Sequence, residues 1–166
     1  MKSFYLGFLL FSTFSLTAQV NPHAIGLRFN GDGRGNGAEI SYQHGFGSSN
    51  RLELDFGGRS HKNWRHFGVF AGYHWVWNLT DGLNWYIGPG AALGSYQSRW
   101  EKNHQYYDEG GLTLAVGGQI GLEYDFNSAG VPLLLSLDAR PLWELWTYYE
   151  YYNFGYGGAL SLRYTF

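Results

Sequence analysis

Six side chains are of the types that do nucleophilic or acid–base chemistry: Ser60, His61, His66, Ser98, His104 and Asp108. A serine activated by histidine, with an aspartate orienting the base, would support acyl transfer or ester hydrolysis if base and nucleophile stood within hydrogen-bond reach. Nothing in the spacing fixes such a pair, and no His-x-Ser combination falls inside a strand-like stretch. His61 and His66 raise the alternative of a metal. Their separation does not set them on one face of a helix, and the chain has no cysteine to complete a ligand set. The expectation is therefore exposed loop histidines, with no catalytic residue, no metal and no cofactor. The glycine-rich stretch "GDGRGNG" lacks the Lys-Ser/Thr pair and the following helix of a phosphate-binding loop, and reads as a hairpin turn.

A second group of charged residues is more regular. Arg28, Glu39, Arg51, Glu53, Asp55, Arg59, Glu123, Asp138, Arg140 and Arg163 all stand at positions that alternate with apolar ones. The element that positions such a set is a β-strand, in which successive side chains point to opposite faces. Eight segments carry this period. Their apolar faces are Ile25, Leu27 and Phe29; Ala38, Ile40 and Tyr42; Leu52, Leu54 and Phe56; Phe67, Val69, Ala71, Tyr73, Trp75 and Trp77. They continue with Trp85, Ile87, Ala91 and Leu93; Leu112, Leu114, Val116, Ile120, Leu122 and Tyr124; Leu133, Leu135, Leu137 and Ala139; and Leu160, Leu162, Tyr164 and Phe166. These positions include no Asp, Glu, Lys or Arg. The opposite face holds the ten charges together with many glycines, Ser41, Gln43, Thr113, Gln119 and Ser136.

Composition agrees with a protein apolar on one face only. The chain is 20% aromatic and 14% charged, against roughly 25% charged for a soluble domain. A net charge of −2 argues against a nucleic-acid partner, which favours a basic patch. The first eighteen residues stand apart: a basic "MKS", an apolar "FYLGFLLFSTFSL" and then "TA" have the three regions of a secretory signal peptide. The expected organisation is a signal peptide over 1–18 and one β-barrel domain over 19–166.

Connections alternate in length. "GFGSSN", "NLTDGLN" and "DFNSAGV" are compact turns, whereas "QSRWEKNHQYYDEGG" and "PLWELWTYYEYYN" read as longer loops. Short turns at one end and longer loops at the other are the pattern of an antiparallel transmembrane barrel. Period two does not say which face is inside. A soluble barrel would put the apolar face inward, but aromatic strand ends and a glycine-rich, lysine-poor polar face favour lipid outside and charge inside.

The closing stretch "LSLRYTF" resembles the C-terminal assembly signature of Gram-negative outer-membrane proteins, with Leu160, Leu162, Tyr164 and Phe166 at the matching places. With the signal peptide and eight strands, the chain resembles the small eight-stranded barrels of the OmpA/OmpX type. "GLEYDFNSAGVPLLLSLDARPLWEL" is similar to a segment of uncharacterised small barrels in Bacteroidota. The resemblance implies insertion by the barrel-assembly machinery, contact with outer-membrane lipid and lipopolysaccharide, and both termini in the periplasm. It implies no activity, since this class includes adhesins, structural anchors and lipid A-modifying enzymes.

An eight-stranded barrel is just wide enough for side chains to fill, so the interior charges should pair. The expected network comprises Arg28, Glu39, Glu53, Asp55, Glu123, Asp138, Arg140 and Arg163, with Arg28, Asp138 and Arg140 in the middle and Arg163 and Glu123 near the periplasmic end. An aromatic group, Trp100, Tyr106, Tyr107, Trp143, Trp146, Tyr148, Tyr149, Tyr151 and Tyr152, reads first as the outer aromatic girdle with hairpin packing and otherwise as a surface platform for a protein or glycan. The functional expectation is a plugged barrel with a structural or surface-interaction role. The alternatives are a lipid A- or phospholipid-modifying enzyme and a narrow porin.

Overall fold

The computed structural model describes residues 20–31, 35–102, 105–146 and 154–166. The expected signal peptide, His104, and Tyr148, Tyr149, Tyr151 and Tyr152 lie outside the described residues, as do the side chains of Trp100, Tyr106 and Trp146.

The strands are β1 (His23–Gly31), β2 (Asn36–Phe46), β3 (Asn50–His61), β4 (Trp64–Thr80), β5 (Leu83–Lys102), β6 (Gln105–Asp125), β7 (Leu133–Trp146) and β8 (Phe154–Thr165). Each pairs antiparallel with its sequence neighbours, and β8 closes on β1 through the register Leu27↔Leu162 and Phe29↔Leu160. The three connections at the terminal end are tight. Gly82 and Gly130 sit at φ 74° and 77°, a left-handed backbone that glycine adopts without a steric penalty. The β6–β7 connection is a single 3₁₀ turn, Phe126–Ala129, capped by the Gly130 N–H on Phe126 and Asn127 carbonyls.

Two connections depart from the sequence expectation: residues 141–146, read as the start of a long loop, belong to β7 and pair with β6 and β8. The stretch read as a long loop after the fifth strand is instead a continuation of β5 and β6, paired as far as Lys102↔Gln105. The cross-strand partners Arg99 and Asp108 supply the reason. They form a two-pronged, exposed ion pair at 2.7 and 3.1 Å, and this hydrogen bonding holds the Asp108 carboxyl below its ordinary value. Polar residues thus extend the ladder beyond the apolar wall.

The two faces are inverted relative to a soluble barrel. Leu112, Leu137 and Phe29 on the outer wall are 72%, 61% and 55% exposed, whereas Arg28, Arg51, Glu53 and Arg163 inside are buried. Phe56 and Phe67 meet edge-to-face on the outer wall, and Trp77 stacks on Trp85. Charge inside and apolar surface outside suit a closed barrel whose wall meets hydrocarbon, because closure leaves no unpaired strand edge there.

The terminal end is filled. Val20 packs against the buried Val76 and Tyr86, and its N–H donates to the Ser48 carbonyl. Asn21 Nδ2 donates to Asp125 Oδ2 at 2.8 Å, and Asn127 Nδ2 donates to Thr165 Oγ1 at 2.9 Å. The segment before β1 therefore crosses the mouth and ties it to the β6–β7 turn.

Room inside depends on particular glycines. A Cβ on Gly121 would stand 2.5 Å from the Tyr86 ring and 2.8 Å from Asp138 Cβ. Gly121→Val should therefore lower the urea midpoint of the refolded barrel by an amount equivalent to about 1–3 kcal/mol, the usual cost of overpacking. At Gly158 the nearest contact for a Cβ is the Asp138 carbonyl at 3.8 Å, so Gly158→Ala should leave the midpoint unchanged.

Candidate functional site

Parity sends every second residue of each strand into the lumen, and the long side chains converge at mid-height. Arg140 on β7 donates through Nη2 to Glu53 Oε1 at 3.0 Å and to Asp55, through Nη1 to Glu39 at 3.3 Å, and through Nε to Gln119 at 3.1 Å. Its guanidinium lies 3.6 Å from the centroid of the Phe70 ring. Arg163 on β8 donates to Glu53 Oε2 at 3.1 Å, and to Ser41 and Ser136, each at 2.8 Å. Arg28 on β1 bridges Glu39 and Asp138. Glu53 also accepts from Gln43 at 2.6 Å and Gln119 at 3.0 Å.

A second cluster lies toward the terminal end. Arg51 pairs with Glu123, donates to His74 Nδ1 at 3.4 Å and stands 4.4 Å over the Tyr86 ring. Tyr86 Oη donates to Asp138 at 3.3 Å, which joins the two clusters. Sequence order puts Arg163 and Glu123 at one level near the terminal end. In the structure Arg163 pairs with Glu53 and Glu123 pairs with Arg51.

Phe70, His74 and Tyr86 are interior groups that a search for charges passes over. Their parity relative to Val69, Trp75 and Ile87 is the signal that marks them as inward. Each has a role: Phe70 carries Arg140, His74 accepts from Arg51, and Tyr86 links the clusters.

Among the described residues, no side chain fills the lumen above Arg140. A cavity of about 370 Å³ opens toward the loop end, floored by Arg28, Glu39, Phe70 and Arg140 and walled in part by Asn30, Arg59, Trp64, His66, Tyr96 and Thr113. That volume is within the range of small-ligand sites. Asn30 is only 8% exposed, yet neither its Nδ2 nor its Oδ1 has a hydrogen-bond partner, and Arg28 Nε is likewise unpartnered. Buried amides normally find partners, so the Asn30 amide and Arg28 Nε stand out beside a lumen wall that is otherwise densely hydrogen-bonded.

Among the described residues, the dispersed chemical candidates do not assemble into one constellation. His66 faces the cup and its Nε2 is 3.2 Å from Thr113 Oγ1; Ser98 lines the same cavity. Ser60 and His61 are exposed beside the β3–β4 turn, and Asp108 is engaged by Arg99 on the protruding hairpin. Of the aromatic group, the described side chains are Tyr107, exposed on that hairpin with Oη donating to Gln105 at 3.2 Å, and Trp143, exposed on the outer wall. Leu160, Leu162, Tyr164 and Phe166 all face outward and are exposed.

No protein-family profile matches the chain, and no curated protein matches it in sequence. Solved structures match its fold. Neisserial surface protein A aligns with a TM-score of 0.62 at 14% identity, covering 87% of this chain and 95% of that one. The N-terminal barrel of Pseudomonas aeruginosa OprF aligns at 0.59 and 15% identity, covering 87% and 96%. Ail of Yersinia pestis, in complex with the heparin analogue sucrose octasulfate, aligns at 0.53 and 15% identity, covering 87% and 96%. The chain thus shares the closed eight-stranded fold of small outer-membrane barrels of the OmpA/OmpX type.

The central cluster generates a stability prediction. Arg140→Met strands Glu53 and Asp55 with fewer partners and should cost about 3–5 kcal/mol in urea unfolding of the refolded barrel, the usual effect of breaking a buried pair. Adding Asp55→Leu to Arg140→Met should recover at least half of that loss, because removing both partners leaves less uncompensated charge.

Proposed function

We propose that the protein is an integral barrel of a Gram-negative outer membrane that works at the cell surface, with its lumen plugged for stability and its loop-end cup used for recognition. The carrying observation is the asymmetry of the lumen. Side chains and the segment before β1 fill the terminal half, whereas the cup opens toward the loops beside Asn30, whose buried amide has no partner among the described residues. In this reading residues 1–18 are the export signal and 19–166 the barrel domain. The termini are periplasmic, and the outer wall meets lipid and lipopolysaccharide. The outward row ending at Phe166 is the signal read by the barrel-assembly machinery.

The cup's chemistry favours a glycan over a protein as its ligand. Trp64 and Tyr96 offer aromatic surface, and Asn30 offers a donor and an acceptor. Ail was crystallised with a polysulfated sugar analogue. Here the cup holds Glu39 and Glu144 beside Arg28, Arg59 and Arg140, a mixture that favours a neutral or mixed-charge sugar over a polysulfated one. Of the aromatic group, Tyr107 on the protruding hairpin would extend this surface, whereas Trp143 faces outward on the wall. The contact of His66 with Thr113 supports a second reading, a lipid-modifying enzyme, since a histidine beside a hydroxyl is the first requirement of nucleophilic catalysis. Lipid A acylation that changes with the protein and requires His66 would favour that reading.

Two measurements test the proposal. In planar bilayers the barrel should give no stable unitary current, and large steady currents would replace the plug with a porin. On a glycan array, protein in nanodiscs should retain neutral or mixed-charge glycans. Asn30→Leu should weaken that binding about tenfold, the scale of one or two lost hydrogen bonds. Retention of sulfated glycans alone, or of none, would remove the glycan reading.

A further inference from the structure

The outer wall at the terminal end carries a group that neither plug nor cup uses. His23 on β1 and His44 on β2 are direct partners in the ladder, so their side chains share one face. Their Nδ1 atoms face each other at 3.3 Å. The same His23 Nδ1 is 2.9 Å from Tyr42 Oη. An imidazole Nδ1 carries either one hydrogen or one lone pair, directed in the ring plane. It can therefore serve one good hydrogen-bond partner, and here it confronts two. If it accepts from Tyr42, it has no lone pair left for His44. If it donates to Tyr42, it has no hydrogen left for His44.

A shared cation removes this conflict, because lone pairs on the donors then converge on one centre. We propose that His23, His44 and Tyr42 form a binding site for a divalent transition-metal ion of the zinc type. The separation of the two imidazole nitrogens fits. With Zn–N bonds of about 2.0–2.1 Å, two nitrogens of a tetrahedral site lie roughly 3.3–3.4 Å apart, and the observed separation is 3.3 Å. Imidazole nitrogen is a preferred donor for this class of ion. The rings are also held in place before any ion arrives: Phe166 stacks on His23 at 5.4 Å and Phe46 meets the His44 ring edge-on at 4.8 Å. Such preorganisation reduces the cost of binding.

Among the described residues no three His, Cys, Asp or Glu side chains form a metal cluster. Tyr42, whose Oη already lies 2.9 Å from His23 Nδ1, supplies the third protein donor in this proposal, and water completes the shell. This makes the site exchangeable rather than a closed structural centre. It also lies on the closing seam: the Phe166 N–H donates to the His23 carbonyl at 3.0 Å. An ion here would couple β1 and β2 next to the place where the barrel closes. The inference rests on the fold alone and is independent of what the cup binds.

The test is titration of the refolded full barrel, free of any polyhistidine tag, with Zn²⁺ by calorimetry and with Co²⁺ by visible absorption. One equivalent should bind, and Co²⁺ should show the intense bands of a tetrahedral site. His23→Asn or His44→Asn should weaken binding at least tenfold and Tyr42→Phe severalfold, while His61→Asn should not change it. Heat-modifiable gel migration shows whether each variant is folded. Should the histidine variants fail to fold, Zn²⁺ should protect His23 and His44 of the unmodified sequence from diethyl pyrocarbonate. Absence of stoichiometric binding, binding that survives in folded His44→Asn, or absence of protection would each overturn the site.

Discussion

The carboxylate of Glu53 is the point on which the interior depends. It accepts from Gln43 on β2, Gln119 on β6, Arg140 on β7 and Arg163 on β8. With its own place on β3, one side chain therefore links five of the strands. An anion in a narrow, water-poor lumen is tolerable only if its lone pairs are met, so each donor is a requirement of the others. This bracing takes over much of the role of an apolar core. The buried hydrophobic cluster of the described residues is small, Val76 and Tyr86 with Val20 against them.

Guanidiniums suit this task because each is a planar fork with several donors and no acceptor. Arg140 uses all three of its nitrogens on different acceptors and still places its flat face on Phe70. The aromatic ring covers the one surface of the guanidinium that cannot hydrogen-bond, a favourable cation–π geometry. Phe70 in turn needs space, and a Cβ on Gly90 or Gly72 would stand within 3 Å of its ring. Glycine, phenylalanine and arginine on the inner face are thus successive consequences of putting one charged cluster at mid-height.

Much of this was legible from parity. The alternation around Arg163 sends Leu162 and Tyr164 outward and the arginine inward, and the structure follows it. Parity does not give partners, and so the pairing of Arg163 with Glu53 and of Glu123 with Arg51 comes only from the structure. The extent of β5 and β6 escaped the reading because polar residues beyond the apolar wall look like loop until Arg99 is seen opposite Asp108. Phe70 and Tyr86 escaped because apolar identity concealed an inward position. The cup could not be read at all: it is defined by side chains that stop short of filling the lumen, a property of register across strands. The same holds for His23 and His44, which become neighbours only through the exact pairing of β1 with β2.

The barrel's two ends therefore do different physical work. The terminal end combines three tight turns, a crossing N-terminal segment, the Asn127 hydrogen bonds and the Arg51 cluster, so local opening there would break many contacts at once. The loop end keeps a cavity and an unsatisfied amide. Parts of a fold with fewer buried contacts open more readily than densely bonded ones, so the two ends differ in local stability. Concentrating the buried ion pairs below the cup is what permits the cup to stay unfilled, because the strands that frame it are held together from beneath.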